Sequence, residues 1–291
     1  MSDRLSAEDW DVLKSRVASG KCTPFLGAGM AAEHIPLGSA IAKQWAEEYG
    51  YPLDDVTDLA KVAQYIAVQH GDAMFPKEKF IASFVDGAAR PAYESPDEPY
   101  HILARLGLPV YMTTNYDSFL FDALDEAGRR PRLEYCRWND HVLSFPSAFD
   151  AGSDYQPSPE EPLVFHLHGH HDVVESMVLT EDDYLDFIVH VSRDPDCLPK
   201  RVERALTGTS LVFIGYSLKD WSFRVLFRGL IMAMEESLRR LSVTVQLQPG
   251  SADEQAYIDQ YYRRESMSVY WGTAREFVRE LCERCGKPGA S

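Results

Sequence analysis

Four short clusters carry residue types suited to holding a polar, anionic ligand and moving a proton. Gly27-Ala28-Gly29 lets the backbone approach a diphosphate with N–H groups aimed at it. Alone, this G-x-G is an ordinary strand-to-helix turn, because Ala32 stands where the third glycine of a dinucleotide fingerprint would fall. Thr113, Thr114, Asn115, Tyr116 and Asp117 form the second cluster. Asn115 both donates and accepts, which suits a ribose hydroxyl or a water; Asp117 suits a carboxamide NH2 or, equally, the cap of the next helix. The third cluster is His166, His168, Gly169, His170 and His171. His166 and His168 alternate and so share a strand face. His168 directly precedes the glycine, a useful place for a general base. The same imidazoles also suit zinc, and His166 also reads as a core histidine bonded to backbone. The fourth cluster is Gly215-Tyr216-Ser217, placed to hold a second part of the same ligand. Asp220 follows as an early-turn acid, and Trp221 reads as core rather than as an adenine stack.

Each cluster follows an apolar run of strand length. CTPFL precedes Gly27, LPVYMTTN spans Leu108 to Asn115, PLVFH ends in His166, the first of the histidines, and TSLVFI precedes Gly215. These runs are apolar without alternation, the mark of strands buried on both faces of a parallel sheet. Helical spacing fills the intervals. Ser6-x-x-Asp9 caps a helix through Trp10, Leu13 and Val17, with Gly20 at its end. Further helices are expected over 36–50, two or three short ones over 54–85, and others over 116–126, 181–191, 219–236, 253–262 and 273–285. SMVLT (176–180), SVTVQLQ and MSVYW are expected as strands. Residues 144–162 are rich in Pro, Ser, Asp and Gly, and are expected as a lid or contact loop. The fold class that follows is α/β, a Rossmann-like, mostly parallel sheet with helices on both faces and a subsidiary helical module. We read 1–291 as one domain, with that module at about 35–106 and a C-terminal α/β extension at about 222–291. In such a sheet ligands bind outside the carboxyl ends of the strands, so all four clusters should meet at one edge.

The chain has 291 residues, 45% apolar and 25% charged, which excludes a disordered or fibrous protein. Its net charge of -16 argues against general nucleic-acid coating and leaves open a local basic groove or a basic partner; direct sequence-specific nucleic-acid binding is not expected. No run approaches the roughly 18 apolar residues of a membrane span, and the polar, acidic start is unlike a signal peptide. Five scattered cysteines suggest a reducing compartment, hence a cytoplasmic protein. Cys282 and Cys285 form a single C-x-x-C without further ligands nearby, and read as residues of one helix face rather than a zinc site.

Taken together, Gly27-Ala28-Gly29, Thr114-Asn115-Tyr116-Asp117, His168-Gly169 and Gly215-Tyr216-Ser217-Leu218 resemble, in order and approximate spacing, the GAG, T-x-N-x-D, HG and G-x-S-L segments of the sirtuin-type NAD-binding family. The resemblance runs from about Phe25 to Asp220. Two departures matter. Only Cys197 lies between His168 and Gly215, so the four-cysteine zinc module of the protein deacylases is absent. The stretch after the glycines, MAAEHIPLGSAIAKQW, lacks the deacylases' P-D-F-R-type segment. The sequence is therefore similar to the divergent bacterial antiphage-defence branch, whose members cleave NAD.

That resemblance implies an NAD glycohydrolase, releasing nicotinamide and ADP-ribose, that depletes NAD when activated. It implies Asn115 and His168 as catalytic residues, and Gly27, Ala28, Gly29, Thr114, Asp117, Gly215 and Ser217 as residues contacting NAD. NAD enters as substrate and no metal is expected. The branch implies a homo-oligomer gated by a separate sensor, such as a HerA-type ATPase or a short Argonaute. Three other readings remain: a non-catalytic NAD or ADP-ribose binding module, a protein deacylase, and a metal-dependent nuclease using His166 to His171. The last is disfavoured by the acidic charge.

Overall fold

Ser6 accepts a hydrogen bond from the Asp9 N–H and so opens α1 (Ala7–Ala18), which buries Trp10, Leu13 and Val17. The computed structural model describes residues 4–150, 152–194, 197–217 and 241–286; elements are numbered over these. The helix expected over 219–236, with Asp220 and Trp221, lies outside the described residues.

Seven strands form one sheet in the order β3-β4-β2-β1-β5-β6-β7, every neighbouring pair parallel. They are β1 (Cys22–Leu26), β2 (Val110–Thr113), β3 (Arg132–Tyr135), β4 (Leu163–His166), β5 (Ser210–Ile214), β6 (Ser242–Gln246) and β7 (Met267–Trp271). Side chains alternate between two cores. Tyr111, Val164, Val212 and Ile214 enter one, with Trp10, Trp45, Tyr100, Leu103 and Phe277. Met112, Phe165, Leu211 and Phe213 enter the other, with Phe187, Val202, Leu206, Ile258 and Tyr262. Two buried faces explain why these strands read as unbroken apolar runs.

The first core is covered by α1, α2 (Gly38–Tyr49), α3 (Leu59–His70), α5 (Pro99–Arg105), α6 (Phe119–Glu126) and α11 (Ala274–Cys285). The second is covered by α8 (Glu181–Arg193), α9 (Lys200–Gly208) and α10 (Ala252–Arg263). The short helices α4 (Phe75–Phe80) and α7 (Asp140–Leu143) complete the set. Helices α2 to α5 lie in the crossover from β1 to β2 and are latched to the start of α8. There Gln64 Nε2 donates to the Asp182 carboxylate, and Gln64 Oε1 accepts the Asp182 N–H in return. Lys77, 1% exposed, pairs with Asp183 at 2.7 Å. Asp183 also accepts the Leu179 and Thr180 N–H groups, and Lys77 lies over the Trp138 ring, so both buried charges are compensated.

Several expectations change. SMVLT is not a strand: Val174–Ser176 forms a 3-10 turn, and the Val178 N–H bonds the His168 carbonyl rather than a sheet neighbour. The edge strand β3 and helix α9 were not anticipated. The first part of residues 144–162, expected as a lid or contact loop, is fastened to β3 and the segment after it. Glu134 accepts the Ala148 N–H, and Arg137 donates to the carbonyls of Val142, Phe145 and Pro146. Cys282 is buried and Cys285 half-buried on α11. Among the described residues no helix is long and apolar enough to cross a membrane.

Candidate functional site

The register fixes where the clusters meet. Leu26 pairs with Thr113 and with Ile214, and Thr113 pairs with His166. The ladder continues one residue further: the Gly27 N–H reaches the Ile214 carbonyl, Thr114 N–H the Leu26 carbonyl, and Leu167 N–H the Thr113 carbonyl. The segments after β4, β2, β1 and β5 therefore leave the sheet side by side at its carboxyl edge. The chain from β1 runs to β2 on one side, and the chain from β5 runs to β6 on the other. This is the topological switch point where open parallel sheets form a crevice.

The glycines first serve this junction. A Cβ on Gly29 would lie 2.8 Å from the Gly215 Cα, and one on Gly215 would lie 2.5 Å from the Met30 nitrogen. Gly215 also has φ 84°, a conformation that glycine adopts without strain. Gly29 N–H donates to the Gly215 carbonyl and Met30 N–H to the Gly27 carbonyl. Of Gly27, Ala28 and Gly29, two thus spend their N–H groups within the protein. The third, on exposed Ala28, is the one left to meet an anion. Tyr216 clasps the junction: its hydroxyl donates to the Leu26 carbonyl at 2.7 Å, so Thr114 Oγ1 must donate to Tyr216 at 2.9 Å. The Tyr216 ring rests edge-on against Phe25 and Phe213. Ser217 is exposed just beyond.

Asn115 is held through its main chain. Its N–H donates to Thr113 Oγ1 and its carbonyl accepts from His166 Nδ1, both at 2.9 Å. The side-chain amide lies beside the buried Tyr100 hydroxyl, without the alignment of a hydrogen bond. Asp117 is buried and Oδ1 caps α6 by accepting the Phe119 N–H, the capping role anticipated as one of its two options. Burial pushes its carboxyl up to about 6, only partly opposed by that hydrogen bond.

His166 and His168 do not share a face. β4 ends at His166, so strand alternation stops before His168. The His166 ring faces Asn115 and lies 4.7 Å from His170, while His168 packs edge-on against Tyr184 and Phe187 of α8, each at 5.3 Å. His168 makes no ring hydrogen bond among the described residues, and burial alone pushes it down to about 3. It is a neutral imidazole at physiological pH, the protonation state a proton acceptor requires. His166 is pushed down to about 4 and His170 to about 2, both chiefly by burial. Gly169 (φ 86°) turns the chain so tightly that a Cβ would strike the Ser176 carbonyl.

The sequence did not single out Ser118, whose hydroxyl lies 3.0 Å from Nε2 of both His170 and His171. His170, His171 and Asp172 group their ligand atoms within 4.8 Å. They are a poor metal focus: both rings turn Nε2 to Ser118, whereas Asp172 approaches the opposite Nδ1 edges. Tyr116 was anticipated only as part of its cluster; its hydroxyl ties the β2 loop to the Val178 carbonyl.

Glycine turns on either side of the switch point, with an amide and imidazoles on the neighbouring loops, place the chain in the open parallel α/β class, whose ligands bind at this edge. Residues 109–267 match the model of the SIR2-like domain, more than half of the chain, and the protein belongs to that family. It is 25% identical over 197 residues to an NAD(+) hydrolase ThsA of Cytobacillus dafuensis, covering 67% of this chain and 35% of that one. It is 24% identical over 223 residues to an NAD(+) hydrolase ThsA of Acinetobacter baumannii (strain 532279), covering 74% and 40%. The chain thus spans well under half the length of these curated relatives. A solved Sir2 enzyme structure aligns at 14% identity and a TM-score of 0.43, covering 96% of this chain and 98% of that one.

Proposed function

We propose that this protein is an NAD glycohydrolase that cleaves the nicotinamide–ribose bond, giving nicotinamide and ADP-ribose. The observation that carries this reading is the adjacency, at one sheet edge, of the Gly27–Gly29, Asn115–Asp117, His168 and Gly215–Ser217 segments. The activity borne by its ThsA relatives supports it. The leaving group is already cationic and the transition state resembles an oxocarbenium ion, so the protein need not protonate nicotinamide. It must hold the ribose, exclude bulk water and accept one proton. Asn115, with its main chain fixed at both ends, orients a ribose hydroxyl or the attacking water. His168 accepts the proton; a weak base suffices because water becomes acidic as it bonds to a cationic carbon. Asp117 and Thr114 line the nicotinamide side. The Ala28 N–H approaches the diphosphate, with Gly27 and Gly29 shaping the turn, and Gly215 and Ser217 border the adenosine side. No metal is called for by this chemistry.

In this reading the protein is a cytoplasmic antiphage effector, kept silent until assembly as a homo-oligomer with a sensor partner such as a HerA-type ATPase or short Argonaute. Free NAD cleavage would otherwise exhaust the cell. The test is to separate the products of NAD incubated with the chain alone and with its genomic neighbour. Asn115→Ala and His168→Ala should each lower turnover on the order of 10²–10⁴-fold while the far-UV circular dichroism is retained. Wild-type turnover by folded His168→Ala would remove His168 from the mechanism. Intact NAD under every condition would overturn the reading itself.

A further inference from the structure

The proton positions around Ser118 follow from its partners. The Asp172 backbone N–H donates to His170 Nδ1 at 3.3 Å, so that nitrogen carries a lone pair and His170 Nε2 carries the hydrogen. His170 therefore donates to Ser118 Oγ. The serine hydroxyl is then left to donate to His171 Nε2 at 3.0 Å. That requires a hydrogen on His171 Nδ1, which faces an Asp172 carboxylate oxygen at 3.6 Å. The order is hydroxyl, imidazole, carboxylate, as in a serine nucleophile with its base and the acid beside the base; the hydroxyl–imidazole contact is at hydrogen-bond distance, and the Asp172 carboxylate stands just beyond it, between the Nδ1 edges of His171 and His170. His171 is anchored by its N–H on the Tyr116 carbonyl, and Asp172 is open to solvent. Ser118 directly follows Asp117 and sits at the start of α6, at the same sheet edge as Asn115. His168, by contrast, has no ring hydrogen bond to orient it among the described residues.

We propose that Ser118 is an activated nucleophile, with His171 as its base and Asp172 as the group that positions His171, and that it takes the electrophilic sugar carbon of NAD, becoming ADP-ribosylated. The inference rests on the NAD-cleavage reading above. In the step the Ser118 Oγ–C1′ bond forms as the C1′–nicotinamide bond breaks. The bonding pair leaves on the nicotinamide nitrogen, and the hydroxyl proton passes to His171 Nε2. The product is an O-glycosidic ADP-ribosyl serine and neutral nicotinamide, without any further reactant. Such a group would stand across the crevice and close the site to a second NAD.

The experiment incubates the full chain, with its genomic neighbour, with NAD, then measures nicotinamide release, intact mass and the modified peptide. In parallel, a fluorophosphonate probe reports serine nucleophilicity without NAD. The expected result is one ADP-ribosyl group on Ser118, absent in Ser118→Ala and reduced on the order of 10²-fold in His171→Gln. Asp172→Asn, a change at an exposed position, should give a smaller reduction in both adduct and probe labelling. Nicotinamide release with Ser118 unmodified would overturn this proposal and leave NAD cleavage standing. If no nicotinamide is released, the NAD reading fails and the probe decides: labelling of Ser118 that is lost in His171→Gln supports the nucleophile, and an unlabelled Ser118 overturns it.

Discussion

Three buried imidazoles at the carboxyl edge make this fold sensitive to mild acid. His166, His168 and His170 titrate at about 4, 3 and 2 in the folded protein, against an ordinary value of 6.5. The unfolded chain binds protons there first, so stability is complete above pH 6.5 and is lost as pH falls below it. Between pH 7.5 and 5.5 each imidazole removes about 1.4 kcal/mol, together about 4 kcal/mol. Asp117 acts oppositely. Its folded value of about 6 lies above the ordinary 3.8, so the folded state binds its proton first on acidification and regains about 1 kcal/mol over the same interval. The net loss is about 3 kcal/mol, a large share of a domain's typical stability of about 5–15 kcal/mol. Urea unfolding followed by tryptophan fluorescence at the two pH values measures it. His168→Phe keeps an aromatic ring between Tyr184 and Phe187 while removing one titrating group, and should lessen the loss by about 1.4 kcal/mol. Equal stability at pH 7.5 and 5.5, or an unchanged loss in His168→Phe, would refute the argument that burial holds these rings neutral.

Asp117→Asn keeps an oxygen to cap α6 and removes a buried charge. It should stabilise the protein at pH 7.5 by up to about 3 kcal/mol, a gain that disappears below pH 3.8, measurable from the same urea curves. Gly215→Ala places a methyl 2.5 Å from the Met30 nitrogen at a φ of 84°, and should cost at least about 1–3 kcal/mol in thermal unfolding. Lys77→Met strands the Asp183 carboxylate and should cost about 3–5 kcal/mol, whereas Lys77→Met combined with Asp183→Asn, whose amide oxygen still accepts the Leu179 and Thr180 N–H groups, should recover part of it in a double-mutant cycle.

The central strands were legible because burial on both faces writes itself as unbroken apolar residues, as in TSLVFI and PLVFH. The edge strand β3 escaped because RLEY has one exposed and one half-buried residue, and reads as any charged connection. Helix α9 buries only Val202, Ala205 and Leu206 among charged neighbours. SMVLT has strand composition, yet its backbone is committed to the His168 carbonyl and the Tyr116 hydroxyl, partners far away in sequence. At the site, the clusters and their shared edge follow from strand-end logic. The divergence of His166 and His168 does not, because it depends on where the ladder stops. Ser118 was hidden for a similar reason: a serine at a helix start is usually a cap, and here its hydroxyl is turned to two histidines from another loop.

The sheet's centre joins strands that leave the ribosome far apart in time. The Leu26 carbonyl and the Tyr216 hydroxyl that seals the β1–β5 junction are 190 positions apart. At about 5–20 residues per second, β1 waits roughly 10–40 s for that neighbour. During this interval one flank of the nascent sheet is an open template for any other extended chain. Biogenesis, more than the finished molecule, is where this topology is vulnerable, and slowing translation after β4 should raise aggregation before it touches the stability of protein that has already folded.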